Sequence, residues 1–329
     1  MYILSDFLKS GDESVQPDFL QFVKATWDNI HKDSNVFRYK IKNLRERIVD
    51  KYLLQLNPDR SSNRRLPEQI ENVCQPFDKD KFNFTKISND EIIFAFANNN
   101  NEMLLISETC EHFLIVNVSP ISQYHSLLCP SMHKCLPQVV TVESLQLVID
   151  IILITKDRDL KIGFNSLCGL ASVNHLHYHL FIERNVLPVE IAKCKHIKGP
   201  VYCLDNYPAP AFCFEVTQQT IKASENIFRI VDFLLKKSIA HNIMFTYGQS
   251  VTADVKREIV RVIIWPRKNS TGAKQLAAFN VAVCELSGWF PVYDGESFMK
   301  LTSEELEAEL RKWKYDGFDD LCEEIKKLF

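Results

Sequence analysis

The sequence lacks several features that would each assign a protein to a class. No apolar run has the ~18 residues of a membrane-spanning helix, and the longest one, residues 145–155, is interrupted by Asp150. The ten cysteines include no C-x-x-C pair, which removes the usual zinc-ribbon and thioredoxin-like interpretations. The formal net charge of −3 gives no whole-protein attraction to nucleic acid or to an anionic membrane. The first residues have neither a basic nor an apolar signal region, so we expect a cytoplasmic protein with free, mostly buried thiols.

The composition indicates a folded globular chain. Hydrophobic residues make up 46% and charged residues 25% of the 329 positions, which excludes wholesale disorder. We divide the chain into a helical and irregular segment (1–80), a first half (81–203) and a C-terminal half (204–329). In the first segment, Phe19, Phe22, Val23 and Trp27 predict an amphipathic helix. Residues 57–63, followed by Arg64 and Arg65, are typical of a solvated linker.

From residue 82 onward the pattern predicts an α+β fold on a mainly antiparallel sheet with flanking helices. Helices are expected after Thr141, over 217–241, and after Thr302, where Thr302 and Glu305 have the spacing of a capping box. The order of strands and helices occurs twice, which suggests two related halves. Short β-branched and aromatic runs predict strands at 91–97, 112–119, 126–130, 161–166, 175–183, 261–265 and 279–285, with an exposed hairpin loop at 98–101.

The most informative segment is a row of three alternating histidines, His175, His177 and His179. Their apolar neighbours in a predicted strand would turn toward the core, so the three imidazoles would project from one face. Successive imidazoles would lie about 6.5–7 Å apart, which is two steps of strand rise. A neutral imidazole is a competent nucleophile near pH 7, and a protonated ring nitrogen donates hydrogen bonds. The row therefore favours chemistry on a phosphate, in which positioning and charge stabilisation dominate.

Two other interpretations of the row stay open. Alternate histidines on a strand can chelate zinc, and they can also simply line a polar pocket. The upstream residues Asn165, Gly169 and Ser172 favour the phosphate interpretation. An amide, a close-approach glycine and a hydroxyl suit phosphate oxygens and are poor zinc ligands.

The sequence resembles the histidine-triad superfamily of nucleotide hydrolases and nucleotidyltransferases, and within it the GDP-D-glucose phosphorylase branch, related to the plant GDP-L-galactose phosphorylases. The plant enzymes tend to carry glutamine at the third triad position, so His179 favours the glucose branch. The sequence departs from the family pattern at Tyr124, before His125, and at Leu180, where glycine is common. The resemblance spans about residues 82–301 and rests on Ser172 through His179 and on segments 82–86, 115–121, 163–167, 187–190, 261–268 and 278–282.

This resemblance implies a reaction and a set of roles. His177 would attack the α-phosphorus of GDP-D-glucose and expel glucose 1-phosphate, after which inorganic phosphate would release GDP from the guanylyl-histidine. His175 would orient the nucleophile and His179 would contact phosphate oxygens. No metal or other cofactor is implied. The residues expected to bind phosphate groups are Asn165, Ser172, Arg267, Lys268 and Lys274.

The alternatives to this activity are phosphorolysis or hydrolysis of another GDP-hexose, a catalytically silent nucleotide-binding protein, and a zinc protein. Related uridylyltransferases bind zinc through the first triad histidine, an upstream histidine and a C-x-x-C pair. This chain has a candidate upstream histidine, His125, and lacks the cysteine pair. The residues that read the guanine and the sugar are not evident from the pattern.

Overall fold

A computed structural model describes residues 19–63, 70–96, 111–251, 258–271 and 278–329. The strands are β1 Arg45–Val49, β2 Tyr52–Leu56, β3 Ile92–Phe96, β4 His112–Val116, β5 Ser126–Cys129, β6 Leu160–Asn165, β7 Tyr178–Ile182, β8 Cys194–Lys198, β9 Val201–Leu204, β10 Phe212–Val216, β11 Ala240–Gln249, β12 Glu258–Arg267 and β13 Trp289–Val292. The helices are α1 Phe19–Asp33, α2 Asp59–Asn63, α3 Val142–Thr155, α4 Pro188–Ile191, α5 Thr220–Lys236, α6 Val283–Leu286, α7 Gly295–Lys300, α8 Ser303–Trp313 and α9 Phe318–Ile325. Single 3₁₀ turns lie at Phe84–Lys86, Asn89–Glu91 and Met132–Lys134.

The predicted α+β fold is confirmed: ten of the strands form one antiparallel sheet. Its order is β3-β4-β5-β7-β6-β11-β12-β10-β9-β8, and a separate three-stranded sheet has the order β1-β2-β13. Counted from its outer edge to the centre, each half of the large sheet has the same order of strands. Each half also has one long helix between the strands that are third and fourth along the chain: α3 between β5 and β6, and α5 between β10 and β11. The halves meet where β6 pairs with β11, with Asn165 opposite Asn242.

The alternation of side chains along the strands separates two cores, one on each face of the sheet. Leu176, Tyr178 and Leu180 belong to the core that also contains the apolar faces of α3 and α5, as the alternating pattern predicted. Phe181 belongs to the opposite core, with Trp265 and Trp289. His179, which alternates with Leu180 and shares its side of β7 with Phe181, therefore lies on the face that carries the smaller sheet and α8.

Several predicted elements are confirmed at their boundaries. Helix α1 buries Phe19, Val23 and Trp27. Thr141 caps α3 by accepting a hydrogen bond from the Ser144 amide, and Thr302 caps α8 in a capping box.

Other predictions were wrong for local reasons. The predicted helix 217–241 ends at Lys236, because Ser238 adopts a left-handed backbone (φ 54°) and β11 begins at Ala240. Segment 279–285 is not a strand but leads into α6, where the Glu285 carboxylate accepts from the Ala282 amide. Residues 98–101, Arg64 and Arg65 lie outside the described residues. No helix in the described ranges is long and apolar enough to span a membrane.

Candidate active site

A cleft opens beside the end of β7 and brings two of the three triad histidines together. It contains about 740 Å³ of empty space, counted out to the solvent at its mouth. Its apolar lining includes Phe82, Phe84, Ile87, Ile115 and Leu127. The polar lining includes Glu91 and a group of residues that we call the polar wall, namely Arg60, Asn117, Ser119, Ser172, His177 and His179. A cleft lined by both apolar and polar side chains suits a purine nucleotide with its phosphates.

The contacts of His177 determine which ring nitrogen carries its proton. The Nδ1 atom lies 2.7 Å from the backbone carbonyl oxygen of His175, and a carbonyl can only accept. Nδ1 therefore carries the proton, and Nε2 keeps its lone pair. Burial lowers the pKa of His177 to about 4, so the ring is neutral near pH 7. The result is a neutral imidazole whose Nδ1–H is held by a peptide carbonyl and whose Nε2 is unprotonated.

His179 has the opposite tautomer. The Ile121 amide donates to Nδ1 of His125 (2.9 Å), so the neutral His125 ring carries its proton on Nε2. That Nε2–H donates to Nδ1 of His179 (3.0 Å). The side-chain nitrogen of Asn117 also lies 3.2 Å from Nε2 of His125, but an amide nitrogen cannot accept this proton. The Asn117 side-chain oxygen accepts from the Ser119 amide instead. His179 consequently carries its proton on Nε2 and is a hydrogen-bond donor in the cleft wall, where its ring centroid lies 5.3 Å from that of His177.

His175 does not share the cleft with the other two histidines, contrary to the prediction that all three project from one face. Strand β7 begins at Tyr178, so strand geometry does not fix the direction of the His175 side chain. The Phe84 amide donates to Nδ1 of His175 (3.0 Å), and Nε2 donates to the Met132 carbonyl (3.0 Å). The ring is fully buried with both nitrogens in use, and its backbone oxygen holds His177.

Ser172 and Asn165 lie near His177 in different ways. Ser172 is part of the polar wall. Asn165 is not among the cleft-lining residues, but the β6–β7 register, continued two residues past Gly163 and His179, puts it opposite His177. Its Oδ1 accepts from Asn242 (2.6 Å) and from the Val283 amide (3.1 Å). These two donors fix the orientation of the side chain and make its amide nitrogen the end turned away from them.

The basic residues predicted to bind phosphate do not line this cleft. Arg267 is buried, donates to Asn242 and to the Val281 carbonyl, and packs against the Trp313 ring at 4.7 Å. Lys268 pairs with Asp316 (3.0 Å) at a separate surface depression. These contacts hold the end of α8 and the residues after it against the end of β12, away from the cleft. Lys274 lies outside the described residues.

Arg60 is a cationic residue that the sequence analysis missed. Residues 57–63 were predicted to form a solvated linker, but Asn57 is buried and donates to the carbonyls of Pro120 and Ile121. Arg60 donates to the Ser119 carbonyl and lines the cleft with the histidines. A single arginine in a polar stretch gives no signal of its own. The linker prediction was wrong because residues 57–60 pack against the loop after β4, which is distant in sequence.

A zinc site at the triad would require several side chains with ring nitrogens or thiolates directed at one point. The described residues contain no group of three or more His, Cys, Asp or Glu side chains placed to hold a metal ion. His125, the candidate upstream ligand, uses both ring nitrogens in hydrogen bonds to Ile121 and His179.

The buried histidines predict that stability depends on pH. Burial lowers the pKa of His112, His175, His177 and His241 to about 4, below the value of about 6.5 in an unfolded chain. Between these values the unfolded chain binds more protons, so the free energy of unfolding falls as the pH drops from about 6.5 toward 4. We expect His241→Gln to reduce this slope by up to about 1.4 kcal/mol per pH unit, measured by denaturant unfolding. His196→Gln, at an exposed position, is the control, and an unchanged slope in His241→Gln would contradict the assignment.

Solved structures with the same architecture identify the class of fold. Yeast Ap4A phosphorylase Apa2 in complex with Ap4A superimposes with a TM-score of 0.61 over 92% of this chain and 98% of that one, at 13% sequence identity. The same enzyme in complex with AMP gives a TM-score of 0.60. This chain therefore shares the fold of that phosphorylase, and its triad segment leads into β7.

Sequence comparisons then give the family. A family model described as GDPGP1-like, N-terminal domain, matches residues 18–181, and one described as GDPGP1-like, C-terminal domain, matches residues 183–328. This chain belongs to that family. It is 32% identical to GDP-D-glucose phosphorylase 1 of Xenopus laevis, over 92% of this chain and 88% of the relative, and 34% identical to that of Danio rerio, over 86% and 82%. It is 28% identical to GDP-L-galactose phosphorylase 1 of Arabidopsis thaliana, over 75% and 61%.

Proposed function

We propose that this chain phosphorolyses GDP-D-glucose to GDP and glucose 1-phosphate through a guanylyl-histidine at His177. The observation that carries the proposal is the tautomer of His177, whose Nδ1–H is held by the His175 carbonyl while the ring lines a cleft. The names of the curated relatives support the substrate and the reaction class.

In the first step, the Nε2 lone pair attacks the α-phosphorus and the bond to the bridging oxygen breaks. Glucose 1-phosphate leaves with that bonding pair and needs no proton. The imidazole acquires positive charge, which the Nδ1–H···O=C bond to His175 stabilises. In the second step, an oxygen of inorganic phosphate attacks the same phosphorus, the phosphorus–Nε2 bond breaks, and GDP is released.

The polar wall stabilises charge on the transferring group. The Nε2–H of His179, the Ser172 hydroxyl and the Asn165 amide would donate to α-phosphate oxygens as charge develops. Among the cleft-lining residues that the structure describes, Arg60 is the cation, whereas Arg267 and Lys268 lie elsewhere, and we assign Arg60 to the β-phosphate or to the incoming phosphate. The base would lie against Phe82 and Phe84.

The cytosol is the compartment we propose for this activity. Nine cysteines in the described ranges are unpaired thiols, four of them buried, which supports a reducing environment. The expected partners are GDP-D-glucose and inorganic phosphate.

The test is a panel of GDP-hexoses with phosphate or water as acceptor. We expect phosphate-dependent GDP formation from GDP-D-glucose, slower reaction with GDP-L-galactose, and little GMP when phosphate is omitted. Preference for another hexose, or GMP as the main product, would contradict the assignment to a GDP-D-glucose phosphorylase. A parallel reaction with EDTA tests the zinc alternative: loss of activity that zinc restores would show that a metal takes part.

A further inference from the structure

Gln138 is a fully buried amide between the 3₁₀ turn Met132–Lys134 and α3. Its Oε1 accepts from the backbone amide of His177 (2.9 Å). Its Nε2 donates to the backbone carbonyl of His177 (3.0 Å) and to that of Asn165 (2.9 Å). The Gln138 side chain therefore bonds both the backbone N–H and the backbone C=O of His177, whose ring lines the cleft.

The backbone of His177 needs these hydrogen bonds because no neighbouring strand in the described part of the sheet supplies them. The β6–β7 ladder ends with Gly163 opposite His179, two residues before the position at which His177 would face Asn165. At that position the carbonyls of both residues point to the same amide nitrogen. A primary amide offers one acceptor and two donors, which matches these three backbone groups. Gln138 thus replaces the missing rung of the ladder.

The backbone around Gln138 is held in the same way. Its own amide donates to Oδ1 of Asn174 (2.9 Å), and the Leu176 amide donates to the Leu136 carbonyl (2.9 Å). The 136–138 segment therefore runs beside the triad segment like a short strand. The position of the amide is consequently set by the fold and not by the substrate.

We infer that Gln138 is a positioning residue for the nucleophile, an inference that rests on the proposed function. Its amide sets where the His177 backbone lies, and the Nδ1–H bond to His175 then sets how the ring is turned. Together these contacts aim Nε2 at the α-phosphorus. Gln138 does not line the cleft, so its loss should impair the chemical step and leave nucleotide binding intact.

The experiment compares chemistry with binding in Gln138→Met, which keeps the length and removes all three hydrogen bonds. We expect the single-turnover rate of guanylyl transfer from GDP-D-glucose to fall ~100-fold, the cost of a misplacement of about 1 Å. The Kd of GDP, measured by calorimetry, should change less than about threefold because the cleft walls are unaltered. A transfer rate near the wild-type value, or a Kd weakened as much as the rate, would overturn the inference.

Two further variants separate positioning from general destabilisation. Leu234→Ala removes a buried side chain of α5 in the core on the opposite face of the sheet and should cost about 2–5 kcal/mol of stability. Measured below its unfolding temperature, it should transfer guanylate at about the wild-type rate; a loss as large as that of Gln138→Met would overturn the inference. If Gln138→Met does not fold, Gln138→Asn, which retains the amide on a shorter side chain, should show the same split between rate and Kd, and a rate near wild type would refute it. Failure of the wild type to form a guanylyl-enzyme would instead refute the proposed function.

Discussion

Replacing His177 by alanine should abolish phosphorolysis, with a loss of at least ~10⁴-fold in kcat. The substitution removes the Nε2 that would bond to the α-phosphorus, and the other triad rings have no equivalent nitrogen. His175 uses both ring nitrogens in backbone hydrogen bonds, and the Nδ1 of His179 accepts from His125. The measurement is phosphate-dependent GDP formation, with intact-protein mass spectrometry to detect the guanylyl adduct on the wild type alone.

The fold should survive this change. The His177 side chain forms one hydrogen bond, to the carbonyl two residues earlier, and it faces the cleft and not a core. We expect the thermal midpoint to shift by no more than a few degrees. His196→Ala, at an exposed position, should keep full activity. Persistent GDP formation by His177→Ala, or an adduct on another residue, would refute the nucleophile assignment.

The parts of the fold that the sequence predicted are those fixed by local periodicity. Leu176, Tyr178 and Leu180 alternate with the triad histidines, and this alternation assigns the core face of β7 without knowledge of its neighbours. The capping side chains of Thr141 and Thr302 act within one turn of helix. In each case the physical cause lies within a few residues of the feature.

The errors at the candidate site arose where a distant partner decides the structure. His175 was expected to share a face with the other two histidines, but Phe84 and Met132, far away in sequence, hold its ring behind the cleft. Arg60 was assigned to a linker because no local pattern shows that Asn57 anchors this segment to the loop after β4. The tautomer of His179 likewise depends on His125 and the Ile121 amide, which only the folded chain brings near it.

His179 should tolerate glutamine and not leucine, because its role requires one acceptor and one donor. Nδ1 accepts from Nε2–H of His125, and the His179 ring lines the cleft, where its own Nε2–H would donate to a bound phosphate. Glutamine reproduces both functions with Oε1 and the amide nitrogen, so His179→Gln should retain kcat within about tenfold. His179→Leu removes the donor and should lower kcat by ~10²- to 10³-fold.

The same pair of variants separates a neutral donor from an acid catalyst. His179→Leu also leaves the buried Nε2–H of His125 without an acceptor, which should lower stability by about 1–3 kcal/mol relative to His179→Gln, measured by denaturant unfolding. If the glutamine variant were as inactive as the leucine variant while stably folded, His179 would have to transfer a proton rather than only donate a hydrogen bond. If the leucine variant kept the wild-type kcat, the third histidine would have no part in stabilising the transferring group. Intermediate activity for glutamine and little for leucine is the result that the tautomer of His179 requires.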